Sequence, residues 1–88
     1  MWKNIYAVRD SVSSSIVSAL IIEASDAPAI RAFYDALRTE GTMLAQHPAD
    51  YDLLCVATFN TDTGEIDPLI VTKTVATGSG WLELQKGL

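Results

Sequence analysis

The sequence predicts a small α+β fold in which one main helix covers a mostly antiparallel sheet, in the order β-β-α-β-β. Strand-like runs of β-branched and aromatic residues flank one segment of helical periodicity, and a hairpin turn sequence follows. With 88 residues, the chain is expected to form a single domain over residues 1–88. A loosely docked tail is expected from about residue 77, where Trp81 and Leu84 could pack as one helical turn.

Two strands are predicted before the helix. Residues 4–9 combine β-branched and aromatic side chains and end at Asp10, where turn residues begin. Residues 16–22 form a second run that is too continuously apolar to have one face in water. This second strand is therefore expected to lie in the centre of the sheet or to be buried at an interface.

The main helix has a start signal, an apolar stripe and a stop signal. Ser25 or Asp26 supplies an N-cap oxygen, and Pro28 is tolerated in the first turn, where its missing N–H has no partner. The apolar stripe consists of Ile30, Phe33 and Leu37. Gly41 is placed to end the helix.

A hairpin is predicted in the second half of the chain. Residues 42–46 could form one further helical turn before Pro48 breaks it. Residues 51–59 are then predicted as a strand, and Gly64 can adopt the left-handed conformation in the turn that follows. A strand from Ile66 to about Thr74 should return antiparallel.

Cysteine and histidine content limits the chemistry of the chain. Cys55 is the only cysteine, so an intrachain disulfide is excluded, and the single histidine, His47, leaves no zinc-type cluster. Cys55 lies in an apolar run and is expected to pack as a small hydrophobe, and an unpaired cysteine fits a reducing cytoplasm. No metal and no cofactor are expected.

Hydropathy indicates an interface but no membrane segment. The apolar run at residues 16–22 has seven residues, whereas a membrane span needs about twenty. Arg9 and Asp10 interrupt the N-terminal region, which therefore does not resemble a signal peptide. An apolar content of 49% is high for a chain of this size, so a homo-oligomer, a dimer or larger, is expected.

The residues do not predict catalysis, and the protein is expected not to be an enzyme. Asp50, Asp52 and His47 would form a hydrolytic site only if they converged in one pocket, and they are more simply loop and capping residues. The turn at residues 60–64 is also not a calcium loop, because its glycine is fifth and Val71 occupies the twelfth position.

The outer surface of the predicted helix offers a candidate nucleic-acid site. Arg31, Tyr34 and Arg38 recur at i, i+3 and i+7, which brings two guanidinium groups and a ring suited to stacking on an unpaired base onto one surface. Lys3 or Arg9 of a neighbouring strand or subunit could add positive charge.

A purely structural interpretation of the same residues stays open. Arg31 could form a surface ion pair with Asp35, and Tyr34 could seal the edge of the core. The net charge of −5 argues against generic nucleic-acid binding, although the six basic residues could cluster in an oligomer.

Four sequence blocks occur in order along the chain: IYAVRD at 5–10, DAPAIRAF at 26–33, HPADYDL at 47–53 and FNTDTGEI at 59–66. Their order and spacing resemble the small nonstructural protein of gokushoviruses, which are single-stranded DNA phages of the microvirus group. The resemblance implies a role in phage DNA replication, in the cytoplasm of the bacterial host, and single-stranded DNA binding is often inferred for such proteins. It transfers no catalytic or binding residue. The apolar Leu54-Cys55 pair and the acidic balance depart from the family pattern.

Two classes of function follow from the sequence. The leading hypothesis is a non-enzymatic phage accessory protein that binds single-stranded DNA as an oligomer during replication or packaging. The rival is an interaction module in which the apolar strands, Trp2 and Trp81 bind a phage or host protein without DNA contact.

Overall fold

A computed structural model describes residues 1–87, and Leu88, the last residue of the predicted domain, lies outside them. The elements are β1 (Trp2–Asp10), β2 (Ser15–Ile16), β3 (Ile21–Glu23), α1 (Asp26–Arg38), α2 (Met43–Gln46), a 3₁₀ turn (Pro48–Asp50), β4 (Tyr51–Asn60), β5 (Ile66–Thr77) and α3 (Gly78–Lys86). The predicted α+β class, with a sheet and one main helix, is confirmed.

The strands form one antiparallel sheet with β1 and β4 at its centre. The strand order is β2-β1-β4-β5, and β3 also pairs with β1. β1 and β4 pair along their whole length, from Trp2 opposite Asn60 to Asp10 opposite Tyr51. β2 and β3 therefore form one edge of the sheet, and β5 forms the opposite edge.

The prediction of a central strand at residues 16–22 is wrong for the single chain. Only Ser15–Ile16 and Ile21–Glu23 pair with β1, and both segments lie at the sheet edge. Between them the Ser18 hydroxyl accepts a hydrogen bond from the Val8 N–H at 2.9 Å, so a side chain replaces a strand partner. Val17 and Leu20 are about half exposed or more, at 48% and 62%.

One face of the sheet, called here the helical face, packs against α1. The buried helix residues are Ala29, Phe33 and Leu37. The sheet residues of the same core are Tyr6, Val8, Tyr51, Leu53 and Cys55. Phe33 and Leu37 are thus confirmed in the buried stripe, while Ile30 is only half-buried at its margin.

Asp26 fixes the start of α1 by bonding to the sheet. Ser25 occupies the N-cap position but its side chain makes no capping hydrogen bond. The carboxylate of Asp26 instead accepts a hydrogen bond from the buried Tyr6 hydroxyl at 2.6 Å, and Asn4 Nδ2 donates to that hydroxyl at 3.0 Å. This chain of bonds joins the first residue of α1 to β1.

The stability of the protein is expected to fall as the pH rises from about 10 to about 12. Burial and the hydrogen bond to Asp26 raise the pKa of Tyr6 from 10.0 to about 12. The folded state holds this proton more tightly, so the stabilisation is complete below the unfolded pKa and is lost as the pH passes the folded pKa. Urea unfolding from neutral pH to about pH 12 measures the effect. Burial also raises the pKa of Tyr51, so Tyr6→Phe should weaken this pH dependence without abolishing it.

An unchanged pH dependence in Tyr6→Phe would contradict the role given to this phenol. Tyr51→Phe is the matched comparison, since it removes a second buried phenol on the neighbouring strand and keeps the bond between Tyr6 and Asp26.

The segments between α1 and β4 follow the sequence prediction except at the helix end. α1 ends at Arg38 with Thr39 as its C-cap, so Gly41 lies in the turn beyond the helix and does not cap it. Gly41 has a φ of +84°, in the left-handed region that favours glycine. Residues Met43–Gln46 form the further helical turn, with the Thr42 hydroxyl accepting from the Ala45 N–H at 3.1 Å. The 3₁₀ turn at Pro48–Asp50 then leads directly into β4.

The predicted hairpin between β4 and β5 is confirmed. Gly64 has a φ of +79°, and its N–H donates to the Asn60 carbonyl at 2.8 Å. Asn60 Oδ1 also accepts from the Asp62 N–H at 2.9 Å, which is an Asx turn. The N-terminal ammonium of Met1 contacts the Asp62 carboxylate at 2.5 Å and so joins the chain start to this turn.

The C-terminal segment Gly78–Lys86 is a helix that packs on the 3₁₀ turn. The Thr77 hydroxyl caps it by accepting from the Gly80 N–H at 2.9 Å. Trp81 packs against the core, whereas Leu84 is 58% exposed. Gly78 is buried against the backbone of Pro48, which brings the helix start into direct contact with the turn before β4.

Candidate nucleic-acid interface

The helix α1 presents Arg31, Tyr34 and Arg38 on its outer side. Both arginines are exposed, and Tyr34 is half-buried. The Tyr34 ring packs against the core and lies 6.0 Å from the Phe33 ring, tilted by 40°. Tyr34 therefore seals the core edge, as the structural interpretation expects, and part of its side chain stays accessible beside the arginines.

The ion pair on α1 differs from the predicted one. Asp35 pairs with Arg38, one turn further along the helix, and not with Arg31. Within residues 1–87, Arg31 forms no ion pair. The guanidinium group of Arg31 is therefore available to bind an external anion.

Lys3 and Arg9 lie on the other side of the sheet from α1. Side chains alternate along β1, so Lys3 and Arg9 share a face with Ile5, whereas Tyr6 and Val8 point to the helical face. In one chain, Lys3 and Arg9 cannot extend the surface formed by Arg31, Tyr34 and Arg38. Only a neighbouring subunit could place them there.

The face that contains Lys3 and Arg9, called here the second face, contributes no residue to the core around α1. Its buried residues are Ile5, Ala7, Leu54 and Ala57. Lys3 lies opposite Phe59 on β4, and Arg9 lies opposite Asp52. The Lys3–Phe59 pair could not be predicted from sequence, because a cationic and an aromatic residue 56 positions apart are brought together only by the β1–β4 register.

The residues considered for hydrolysis do not form a recognisable site. His47 is exposed at the end of α2, Asp50 ends the 3₁₀ turn, and Asp52 points to the second face. Among the described residues, no group of three histidine, cysteine, aspartate or glutamate side chains could hold a metal ion. Burial raises the pKa of the Cys55 thiol, which reduces its thiolate content.

A groove of about 220 Å³ lies between α1 and α2. Its lining residues are Ala36, Thr39, Thr42 and Leu44. The hydroxyls of Thr39 and Thr42 already donate to main-chain carbonyls of Asp35 and Thr39, at 2.8 Å in each case. The groove therefore offers mainly apolar surface and no charged group.

The fold and the surfaces define a small α+β protein in which helices pack on the helical face of an antiparallel sheet. Residues 3–81 match the family described as Phage ORF5 protein. Because the match spans most of the chain, the protein belongs to that family and is a phage protein. Searches of curated proteins and of solved structures gave no match.

A helix that crosses a bilayer needs about twenty predominantly apolar residues. Across residues 1–87, each helix is too short or too polar to cross a membrane.

Proposed function

We propose that this phage protein is a non-enzymatic accessory protein that binds single-stranded DNA as an oligomer during replication or packaging in the host cytoplasm. Family membership supports a role in phage biology, and the gokushovirus-like sequence blocks support replication or packaging. The observation that supports DNA contact is the α1 surface, where Arg31 forms no ion pair with any residue from 1 to 87 and lies one turn from the half-buried Tyr34 ring.

This surface is suited to unpaired rather than paired bases. An unpaired base exposes a ring face that can stack on Tyr34, which contributes roughly 1 to 3 kcal/mol per base, whereas a duplex hides that face. Arg31 would contact a phosphate, and Arg38 would do so after exchanging its contact with Asp35. The net charge of −5 weakens long-range attraction, so binding depends on this local surface or on its repetition in an oligomer.

The parent protein is expected to bind a labelled single-stranded oligonucleotide more tightly than the corresponding duplex. Fluorescence anisotropy at low and moderate salt measures both affinities. With two or three phosphate contacts per subunit, the log-log salt slope should be shallow, about −0.7 for each neutralised phosphate. Tyr34→Ala and the double variant Arg31→Ala/Arg38→Ala should both weaken single-strand binding.

Two controls separate a local contact from a general effect. Lys86→Ala removes an exposed positive charge that lies on α3 in a pair with Glu83, away from the α1 surface, and should change affinity little. Thermal unfolding of Tyr34→Ala checks that loss of binding is not loss of fold, since Tyr34 also packs on the core. No binding by the parent even at low salt would contradict the DNA hypothesis.

The second candidate function is an interaction module for a phage or host protein. It is favoured by exposed apolar residues, including Trp2 at the start of β1, at 48% exposure, and Leu20 between β2 and β3, at 62%. Trp81 does not belong to this surface, because it packs against the core. Failure of single-strand binding, together with an intact fold, would favour this function over the first.

A further inference from the structure

The outer edge of β5 contains an apolar segment that is displaced from regular pairing. Cys55 lies opposite Lys73, and Ala57 lies opposite Pro68, so residues 69–72 of β5 face Val56 alone. Within this bulge Ile70 is fully exposed and Val71 is 79% exposed. In the described sheet β4 is the only neighbour of β5, which leaves the other edge of β5 unpaired.

Two opposite charges flank this segment symmetrically. Asp67 and Lys73 are each three residues from Ile70. Both point to the helical face, because they pair with Thr58 and Cys55. Asp67 has no ion pair within residues 1–87, and Lys73 has only an exposed 3.9 Å contact with Asp26.

We propose that β5 pairs antiparallel with β5 of a second copy, with Ile70 on the two-fold axis. In this register Asp67 of each copy lies opposite Lys73 of the other, so the ion pair forms twice. Ile70 then packs against its own equivalent, and Leu69 lies opposite Val71. A single arrangement thus covers Ile70, the large apolar residue with the highest exposure among residues 1–87, and gives Asp67 a cationic partner.

The charges of Asp67 and Lys73 also favour this pairing register over registers shifted by one or two residues. A shift of one position places Asp67 opposite Thr72 or Thr74, and a shift of two places it opposite Val71 or Val75. Only the pairing centred on Ile70 joins Asp67 to a cation. This self-complementarity favours a second copy of the chain over an unrelated protein as the occupant of the edge.

The interface is small, and the dimer should therefore be weak and concentration-dependent. Pro68 has no N–H, so the pairing from Asp67 to Lys73 lacks one hydrogen-bond donor in each copy, and this short segment should bury less than the roughly 800 Å² per partner of a standard interface. Paired residues share a face, so the dimer places both α1 helices on the same side of a continuous sheet. It forms without DNA and specifies the oligomer that the proposed function requires.

Sedimentation velocity of the full chain, without DNA, tests this interface by charge reversal. Asp67→Lys and Lys73→Asp should each weaken dimerisation at least about tenfold, because each change opposes like charges twice. An equimolar mixture of the two variants, and the double variant Asp67→Lys/Lys73→Asp, should restore it. Glu40→Lys, which makes the same charge change at an exposed position on another surface, should leave the dimer intact.

Three results would overturn the proposal: a strictly monomeric parent, a dimer that tolerates Asp67→Lys, or single-variant losses that neither the mixture nor the double variant recovers. The second result would place the interface elsewhere, for example at the β2 and β3 edge. Sedimentation is measured without DNA, so a failure to bind the oligonucleotide in the anisotropy experiment does not affect this test. A monomeric parent, in turn, does not affect the outcome of the anisotropy experiment.

A cysteine at position 70 gives a second, geometric test. Directly opposed residues of antiparallel strands have Cα atoms about 4.5 to 5.5 Å apart, within the range of a disulfide. Ile70→Cys should therefore form a covalent dimer under mild oxidation, with Cys55 buried in the core of each copy. Val12→Cys, at a residue 76% exposed in the β1–β2 turn, is the control. Equal cross-linking of the two variants would contradict the two-fold axis at Ile70.

Discussion

Phe33→Ala is expected to lower the free energy of unfolding by about 3 to 5 kcal/mol, the usual cost of removing a buried aromatic ring. Phe33 is 1% exposed and lies in the centre of the stripe that joins α1 to the sheet. Domains of this size have total stabilities of about 5 to 15 kcal/mol, so the variant should retain only a small margin. Urea unfolding followed by circular dichroism measures the loss.

Arg31→Ala is the control for this prediction, since it changes an exposed side chain of the same helix. Its unfolding free energy should stay within about 0.5 kcal/mol of the parent. An unchanged midpoint in Phe33→Ala would show that α1 does not pack through this ring.

Gly78→Ala is expected to destabilise the protein by about 3 kcal/mol, at the upper end of overpacking effects. A Cβ atom at position 78 would lie 1.6 Å from the carbonyl oxygen of Pro48 and 3.1 Å from that of Tyr51. Both neighbours are main-chain atoms and cannot rotate away. The start of α3 must therefore separate from the 3₁₀ turn, which also disturbs the packing of Trp81.

Gly87→Ala provides a closely matched comparison at the other end of α3. Its added Cβ would meet the Leu84 carbonyl oxygen at 3.5 Å, an ordinary contact, and its φ of −77° suits alanine. Both substitutions restrict the unfolded chain equally, so the difference between their unfolding free energies isolates the clash. Equal stabilities would show that α3 does not rest on Pro48.

Local signals were sufficient to predict the helix and the hairpin. Pro28 and the apolar stripe predict α1, and Gly64 predicts the turn before β5. These features depend on residues that are close in sequence. The same local logic predicted the order β-β-α-β-β and the β4–β5 pairing, but not the division of residues 16–22 into two strands or the helix α3 after β5.

The position of residues 16–22 could not be read from their apolar content. A continuous apolar run indicates that both faces avoid water, but it does not show whether the chain itself or another molecule covers them. In the fold, Ser18 bonds to the Val8 N–H and divides the run into two short edge segments. A serine within an apolar run was the available sign of this division.

The candidate site was predicted only where its residues share one helix. Spacing placed Arg31, Tyr34 and Arg38 on one side of α1, but the separation of Lys3 and Arg9 from them depends on the direction in which β1 side chains point. The choice between Arg31 and Arg38 as the partner of Asp35 also depends on side-chain geometry. Neither property follows from spacing alone.

The rate at which the Cys55 thiol reacts with an external reagent reports conformational opening of the protein. The thiol is 6% exposed on a central strand, and it is the only one in the chain. A thiol reagent can reach it only when β4 separates from α1 or from its neighbouring strands. When reclosing is faster than modification, the labelling rate gives the free energy of that opening. The variants that add no cysteine can therefore be compared by this rate without denaturant.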